Sequence, residues 1–190
     1  MQWTMPEATE NLDAIVRAAR QREEVAVAAL YRAFNPPLMR FLRQQAPWAA
    51  DDLAAETWLS VARGLEAFEG DAADFRRWLY TIARRRVVDH FRVESRKVPS
   101  TPLGDHDDRA NGGDASTVAL ADIAAQDAIA ALLRDLPASQ AEVVLLRVVA
   151  DLSTEDVASI TGRSVGSVRV LQHRALRRLA ATWDPSAAPH

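Results

Sequence analysis

The stretch Ser153–Leu179, STEDVASITGRSVGSVRVLQHRALRRL, decides the fold. Ser153, followed three residues later by Asp156, has the spacing of a capping box and predicts a helix start. Gly162 stands where a left-handed cap would end that helix. Ser164 can cap a second helix, with apolar positions at Val165, Val168, Leu171, Ala175, Leu176 and Leu179. Ser167, Arg169, Val170, His173, Arg174 and Arg177 fall on its other face. Two helices crossing at a tight corner need a small residue in the first, a glycine at the corner and an apolar plug in the second. Ala158, Gly162 and Val168 meet that need at the spacing of a DNA-binding helix-turn-helix. Five arginines and no acid lie between Arg163 and Arg178. A solvated basic helix on a bundle is the plainer reading, but the corner chemistry favours a recognition helix entering the major groove.

Upstream, Leu136-Pro137 precedes Ser139 and Glu142, whose spacing predicts another capping box, with Val143, Val144, Leu146 and Val148 following as apolar positions. A helix is expected from Val118 to Asp135, its apolar positions Leu120, Ile123, Ile129, Leu132 and Leu133. Pro99 to Thr117 breaks all periodicity: proline, glycine, serine and aspartate dominate, and Asp105, Asp107, Asp108 and Asp114 outweigh Arg109. This is a flexible acidic linker between two domains. His106 within it reads as solvated.

The N-terminal half carries helical stripes at Leu12, Ile15, Val16 and Ala19, then at Val27, Leu30, Tyr31 and Phe34. Asn35-Pro36-Pro37 is expected to break the second before Leu38, Met39, Phe41 and Leu42 resume it. After Pro47, Asp51 or Asp52 can cap a helix whose buried stripe is Ala54, Trp58, Val61, Ala62 and Leu65. Asp52, Glu56 and Arg63 share another face. On spacing alone its acids either complement the helix dipole or dock on a basic protein surface. Phe68-Glu69-Gly70-Asp71 reads as a loop. A long helix follows, with Phe75, Trp78, Leu79, Ile82 and Ala83 on its buried face. At ~100° per residue, Arg77, Arg84, Arg85 and Arg92 form one stripe beside aromatics read as exposed, Tyr80 and Phe91. Arginines that track phosphates, next to rings on which unpaired bases stack, are the chemistry of single-strand binding. The plainer alternative is a solvated basic face with Trp78 in the core. Arg86 falls towards the apolar face and is given no role.

Composition bounds the answer further. A net charge of −3 over 190 residues is unusual for a nucleic-acid binder, but the charges are segregated. Asp51 to Asp74 holds seven acids against Arg63 alone, and Phe75 to Lys97 holds eight bases against Asp89 and Glu94. One molecule can therefore address a basic partner and a polyanion together. There is no cysteine, hence no disulfide framework or thiolate metal site. No apolar run approaches the ~20 residues that span a bilayer, and the polar, acidic N-terminus is unlike a signal peptide, so the expected location is the cytoplasm. The four histidines (90, 106, 173 and 190) lack metal-ligand spacing, and neither a phosphate loop nor a serine elbow is present. No enzyme, cofactor or metal is expected.

Two segments together carry a resemblance. DDLAAETWLSVARGLEAFEG with DFRRWLYTIARRRVVDHFR, and LPASQAEVVLLRVVADLSTEDVASITGRSVGSVRVLQHRALRRL, in this order, resemble the two-domain extracytoplasmic-function (ECF) group of the sigma-70 family, subunits of bacterial RNA polymerase. The resemblance covers roughly residues 25–179 and implies an all-α protein of two small helical domains. These are a region 2 domain over 1–98 and a region 4 domain over 118–184, joined by the 99–117 linker and followed by a 185–190 tail. It implies that Asp51, Asp52, Glu56 and Ser60 bind core RNA polymerase. It also implies that Phe68, Glu69, Gly70, Asp71, Arg77, Trp78, Arg84, Arg85 and Arg92 recognise and open the −10 promoter region, with a base flipped out of the stack. Arg163, Ser164, Ser167, Arg169, Val170, His173, Arg174 and Arg177 would read the −35 element. The implied partners are the largest and second-largest polymerase subunits, promoter DNA and an anti-sigma factor, with no small-molecule substrate and no membrane insertion. The linker would thread towards the RNA exit channel.

Three positions depart from the family pattern: Arg85 where asparagine is frequent, Val170-Leu171-Gln172 in the recognition helix, and a loop before Phe75 about one residue longer. All three lie in DNA-reading elements, so promoter sequence does not carry over. The rival reading is a helix-turn-helix regulator of duplex operators that is not a polymerase subunit. A third, a pure protein-interaction module, leaves the recognition-helix arginines without purpose.

Overall fold

The computed structural model describes residues 5–97 and 128–182, and nearly all of them are helical. The expected linker, residues 118–127 and the C-terminal tail lie outside the described residues. Four helices make the N-terminal unit: α1 (Met5–Arg20), α2 (Glu24–Gln45), α3 (Ala50–Gly64) and α4 (Ala72–Lys97). Helical residues 128–133, α5 (Ala138–Val144), a π-helical turn (Leu145–Val149), α6 (Thr154–Thr161) and α7 (Val165–Thr182) make the C-terminal one. The architecture is all-α, with no strand among the described residues.

Apolar periodicity explains the N-terminal unit. Val16 and Ala19 of α1, Leu30, Leu38 and Leu42 of α2, Val61 of α3 and Leu79 and Ala83 of α4 are buried. Aromatic edges knit the layers: Phe34 meets Phe75 at 5.0 Å and Phe41 meets Tyr80 at 5.4 Å between ring centroids. Each such side chain contributes ~1.5–3 kcal/mol on burial. In the C-terminal unit, Val143, Leu145, Leu146, Leu152, Val157, Val168 and Ala175 are buried together.

Several sequence expectations are corrected. Helix α2 runs unbroken through Pro36 and Pro37. The two prolines remove N–H groups that would have bonded the carbonyls of Arg32 and Ala33. Those residues are exposed, while Phe34, Leu38, Phe41 and Leu42 anchor the opposite side. Neither Asp51 nor Asp52 caps α3: a 3₁₀ turn, Pro47–Ala49, leads in, and both aspartates lie in the helix's first turn. Ser139 and Glu142 form no capping box, because Pro137 occupies the N-cap and Ser139 is already helical. Ala62, Val148 and Leu176 are exposed rather than core, and Tyr80 is buried rather than exposed. Leu53 and Thr57 take the places on the buried side of α3, with the Thr57 hydroxyl donating to the Leu53 carbonyl at 2.6 Å.

Candidate nucleic-acid interface

The helix-turn-helix is built as its residues require. Ser153 Oγ accepts the Asp156 N–H at 3.0 Å and Asp156 Oδ2 accepts the Ser153 N–H at 3.3 Å, a reciprocal cap. Gly162 closes α6 at φ +67°, where a Cβ would be strained. Ser164 Oγ accepts the Ser167 N–H at 3.1 Å and starts α7. Val168 is fully buried, and Ala158 is buried in the same core. On the opposite side Arg163, Ser164, Arg169, Val170, His173, Arg174 and Arg177 are exposed, and Ser167 is half-buried. Arg169 reaches Glu155 of α6 at 3.4 Å.

The loop before α4 is rigidly tied. Asp71 Oδ1 accepts the Asp74 N–H at 2.9 Å and Asp74 Oδ2 accepts the Asp71 N–H at 3.4 Å. A third carboxylate, Asp13 of α1, accepts the Ala72 N–H at 2.8 Å from 59 residues away. Arg22, at φ +61° in the α1–α2 turn, pairs with Glu66 at 2.7 Å on the loop's other side. Gly70 turns the chain at φ +142°. Phe68 lies against Trp78, rings stacked 5.1 Å apart and 20° from parallel, with Phe75 edge-on to both. One face of Trp78 is thus covered by Phe68, and Gly64 makes room at its far edge. Glu69, Gly70 and Asp71 are the exposed part of the loop.

Along α4, Arg85 and Arg92 are exposed and Arg84 is half-buried. Each of the four stripe arginines has an acidic neighbour: Arg77 with Asp74, Arg84 with Glu142, and Arg85 and Arg92 with Asp89. Burial pushes the Tyr80 phenol well above its ordinary pKa, because the anion would lose its hydration.

On α3, Asp51, Asp52 and Glu56 are exposed on the surface. Ser60 joins them through Arg86: Arg86 Nη2 donates to Ser60 Oγ at 2.9 Å, and Nη1 lies 3.6 Å from Glu56. Arg86, left without a role by periodicity, therefore bridges α4 to the acidic helix. Periodicity measures only distance from the apolar stripe, so a residue at its margin that pairs sideways is missed. Asp13 carried no local signal at all, since its partner is far away in the chain. Among the described residues no cluster of His, Cys, Asp or Glu could hold a metal ion, and no helix is long and apolar enough to cross a membrane.

The two halves match two family models: Sigma-70 region 2 over residues 30–97 and Sigma-70 region 4 over residues 126–179. The ECF RNA polymerase sigma factor SigD of Mycobacterium tuberculosis is 32% identical over 178 residues, covering 90% of this chain and 82% of that protein. The chain belongs to the ECF sigma factors. ShbA of Streptomyces griseus, another ECF sigma factor, is 30% identical over 91% of this chain and 95% of its own length. Among solved structures, CnrH in complex with the cytosolic domain of CnrY shares the fold at TM-score 0.59 and 20% identity, over 90% of this chain and 95% of that one. The sigma factor RpoE in complex with the anti-sigma factor NepR from Bartonella quintana matches at TM-score 0.53 and 25% identity, over 77% of this chain and 89% of that one. Region 2 holds the acidic helix, the aromatic loop and α4, and region 4 holds the helix-turn-helix. Asp13 and Arg22, which fix the loop, precede the matched part of region 2.

Proposed function

We propose that this sigma factor binds core RNA polymerase, carries it to a distinct class of promoters, opens the −10 region and is then released. The observation that carries this reading is the pairing of a region 2 unit and a region 4 unit in one chain, each with its own charged reading face. Asp51, Asp52, Glu56 and Ser60, with Arg86 behind them, are assigned to the largest polymerase subunit. Glu69, Gly70 and Asp71 are assigned to the −10 non-template strand, with the Phe68–Trp78 stack as the wall of a base pocket and Arg77, Arg84, Arg85 and Arg92 along the phosphates. Pulling a base from the stack costs a few kcal/mol, which pocket and stacking contacts offset. Arg163, Ser164, Ser167, Arg169, Val170, His173, Arg174 and Arg177 are assigned to the −35 major groove. The functional domains are proposed as 1–98 and 118–184, with 99–117 as linker and 185–190 as tail.

The chemistry is binding and strand opening, not catalysis. The site of action is the cytoplasm, and an anti-sigma factor is the expected regulator. The test is run-off transcription with purified core polymerase on fragmented genomic DNA of the source organism, with and without the protein. New discrete starts that share two spaced elements are expected. No new start, together with no co-purification with core, would overturn the reading in favour of a duplex-binding regulator.

A further inference from the structure

Four glycines lie among the described residues, and three of them have a reason inside the chain. Gly64 faces the Trp78 ring, which a Cβ would approach within 2.9 Å, and Gly70 and Gly162 hold positive φ. Gly166 has neither reason: its backbone is helical, and a Cβ there would meet nothing within 4 Å. An exposed glycine in a helix costs stability relative to alanine, and close approach of the backbone to a ligand is one of its recognised uses.

Its position on α7 says where that ligand lies. Val168 and Ala175, both buried, mark the inner side of the helix. At ~100° per residue, Gly166, Val170, His173 and Arg177 fall within about 40° of the opposite line, and Arg169 and Arg174 stand on either flank. All six are exposed. The outermost ridge thus begins with bare backbone and an apolar side chain, Val170 being 49% exposed, and becomes polar only from His173 onwards. A recognition helix meets base edges through its N-terminal residues, and neither Gly166 nor Val170 has a side chain that can form a hydrogen bond. The feature of the major groove that such a surface recognises is the C5 methyl of thymine. Valine holds one dominant χ1 rotamer in a helix, so its methyls are ordered before contact. The absent side chain at Gly166, one turn earlier on the same line, lets the start of α7 sink towards the groove floor.

We propose that Gly166 and Val170 form an apolar reading ridge: Val170 packs on the C5 methyl of a thymine in the −35 element, and Gly166 sets how closely α7 approaches it. This rests on the reading of the helix-turn-helix as the −35 reader.

The test uses core polymerase assembled with the full chain. It is offered promoters with a randomised −35 element on a fixed −10 region, taken from a start found by run-off transcription. The parent should select at least one fixed A·T pair, and an element selected without one overturns the ridge. Each selected thymine is then replaced in turn by deoxyuridine, which lacks only the methyl. One replacement should lower initiation by about fourfold, the worth of one buried methyl, and Val170→Ala should be insensitive to that replacement. Uracil accepted at every position, or the same loss in Val170→Ala as in the parent, overturns the contact.

Gly166→Ala separates reading from folding. It should raise the urea midpoint and leave assembly with core unchanged, yet lower −35-dependent initiation by about tenfold, roughly the cost of one mismatched base pair. Initiation equal to the parent's overturns the close approach, and so does a loss that comes with a lowered urea midpoint, which would make Gly166 a structural residue. If the parent shows no preference anywhere in the randomised element, the −35 reading itself fails and the ridge with it. A clear preference indifferent to uracil is the failure of this inference alone.

Discussion

Replacing Gly70 with alanine should cost far more than the same change at the other turn glycine, Gly162. Gly70 has φ +142°, a region that only glycine enters freely, and holding another residue there costs ~1–3 kcal/mol. A Cβ at this position would lie 2.6 Å from Asp74 Cβ and 2.8 Å from its Oδ2. Asp74 cannot swing clear cheaply, because its N–H donates to Asp71 Oδ1 at 2.9 Å and its Oδ1 receives Arg77 Nη2 at 2.6 Å. Loss of that reciprocal cap adds ~1 kcal/mol, so Gly70→Ala should destabilise the N-terminal unit by ~2–4 kcal/mol in all. For a domain of this size that lowers Tm by roughly 10–20 °C. At Gly162 the added methyl meets nothing within 4 Å, leaving only the left-handed backbone term of ~1–2 kcal/mol. Gly166 is helical with open space around it, and alanine there should stabilise by about 0.5 kcal/mol. Urea unfolding of the full chain, followed by far-UV circular dichroism and by fluorescence of Trp58 and Trp78, ranks the three. If Gly70→Ala costs no more than Gly162→Ala, the tight loop–helix geometry described for residues 68–74 is wrong.

Three further outcomes are expected. Tyr80→Phe removes a buried hydroxyl without a partner and should stabilise by ~1 kcal/mol. Because the folded phenol's pKa is raised above its ordinary 10.0, its contribution is intact below pH 10.0 and is lost as pH rises further; the variant should therefore unfold less steeply than the parent in alkaline urea melts, and identical alkaline profiles would remove Tyr80 as the cause. Asp13→Ala deprives the α4 N-terminus of one acceptor at a cost of ~1–2 kcal/mol. It should impair strand opening, read by permanganate footprinting, more than assembly with core; equal loss of both would make Asp13 a general stability residue. Glu56→Lys puts a cation beside Arg86 and should weaken core polymerase binding by about 2–5 kcal/mol with duplex affinity unchanged in anisotropy titrations. Undiminished assembly with core would move the polymerase contact off α3.

The helix-turn-helix was the most legible part of the chain, because its constraints are local. A cap, a left-handed corner and an apolar plug all act within sixteen residues, Ser153 to Val168, and each stands where its spacing predicts. The acidic helix and the arginine row were legible for the same reason. What escaped were effects of one element on another. Pro36 and Pro37 look like a break, yet a helix with a buried side spanning Leu30 to Leu42 outlasts two missing N–H groups. Tyr80 sits off the main apolar stripe of α4, but Phe41 covers it from α2 and Val149 and Ala150 lie near it from the C-terminal unit, so α4 is buried on more than one side. Glu142 and Asp13 look like local helix acids, and their partners, Arg84 and the Ala72 N–H, are 58 and 59 residues away.

Net charge misleads here for a related reason. A chain at −3 should be a poor ligand for DNA if charge were spread evenly, and long-range attraction would indeed be weak. Yet the acids are not idle counterweights. Those of α3 form a face of their own, those of the loop cap α4, and those of the C-terminal unit sit on the arginines of α4. Several of these acids are held by a specific neighbour, so the affinity of any one face for phosphate depends on which neighbours are in place and not on the sum.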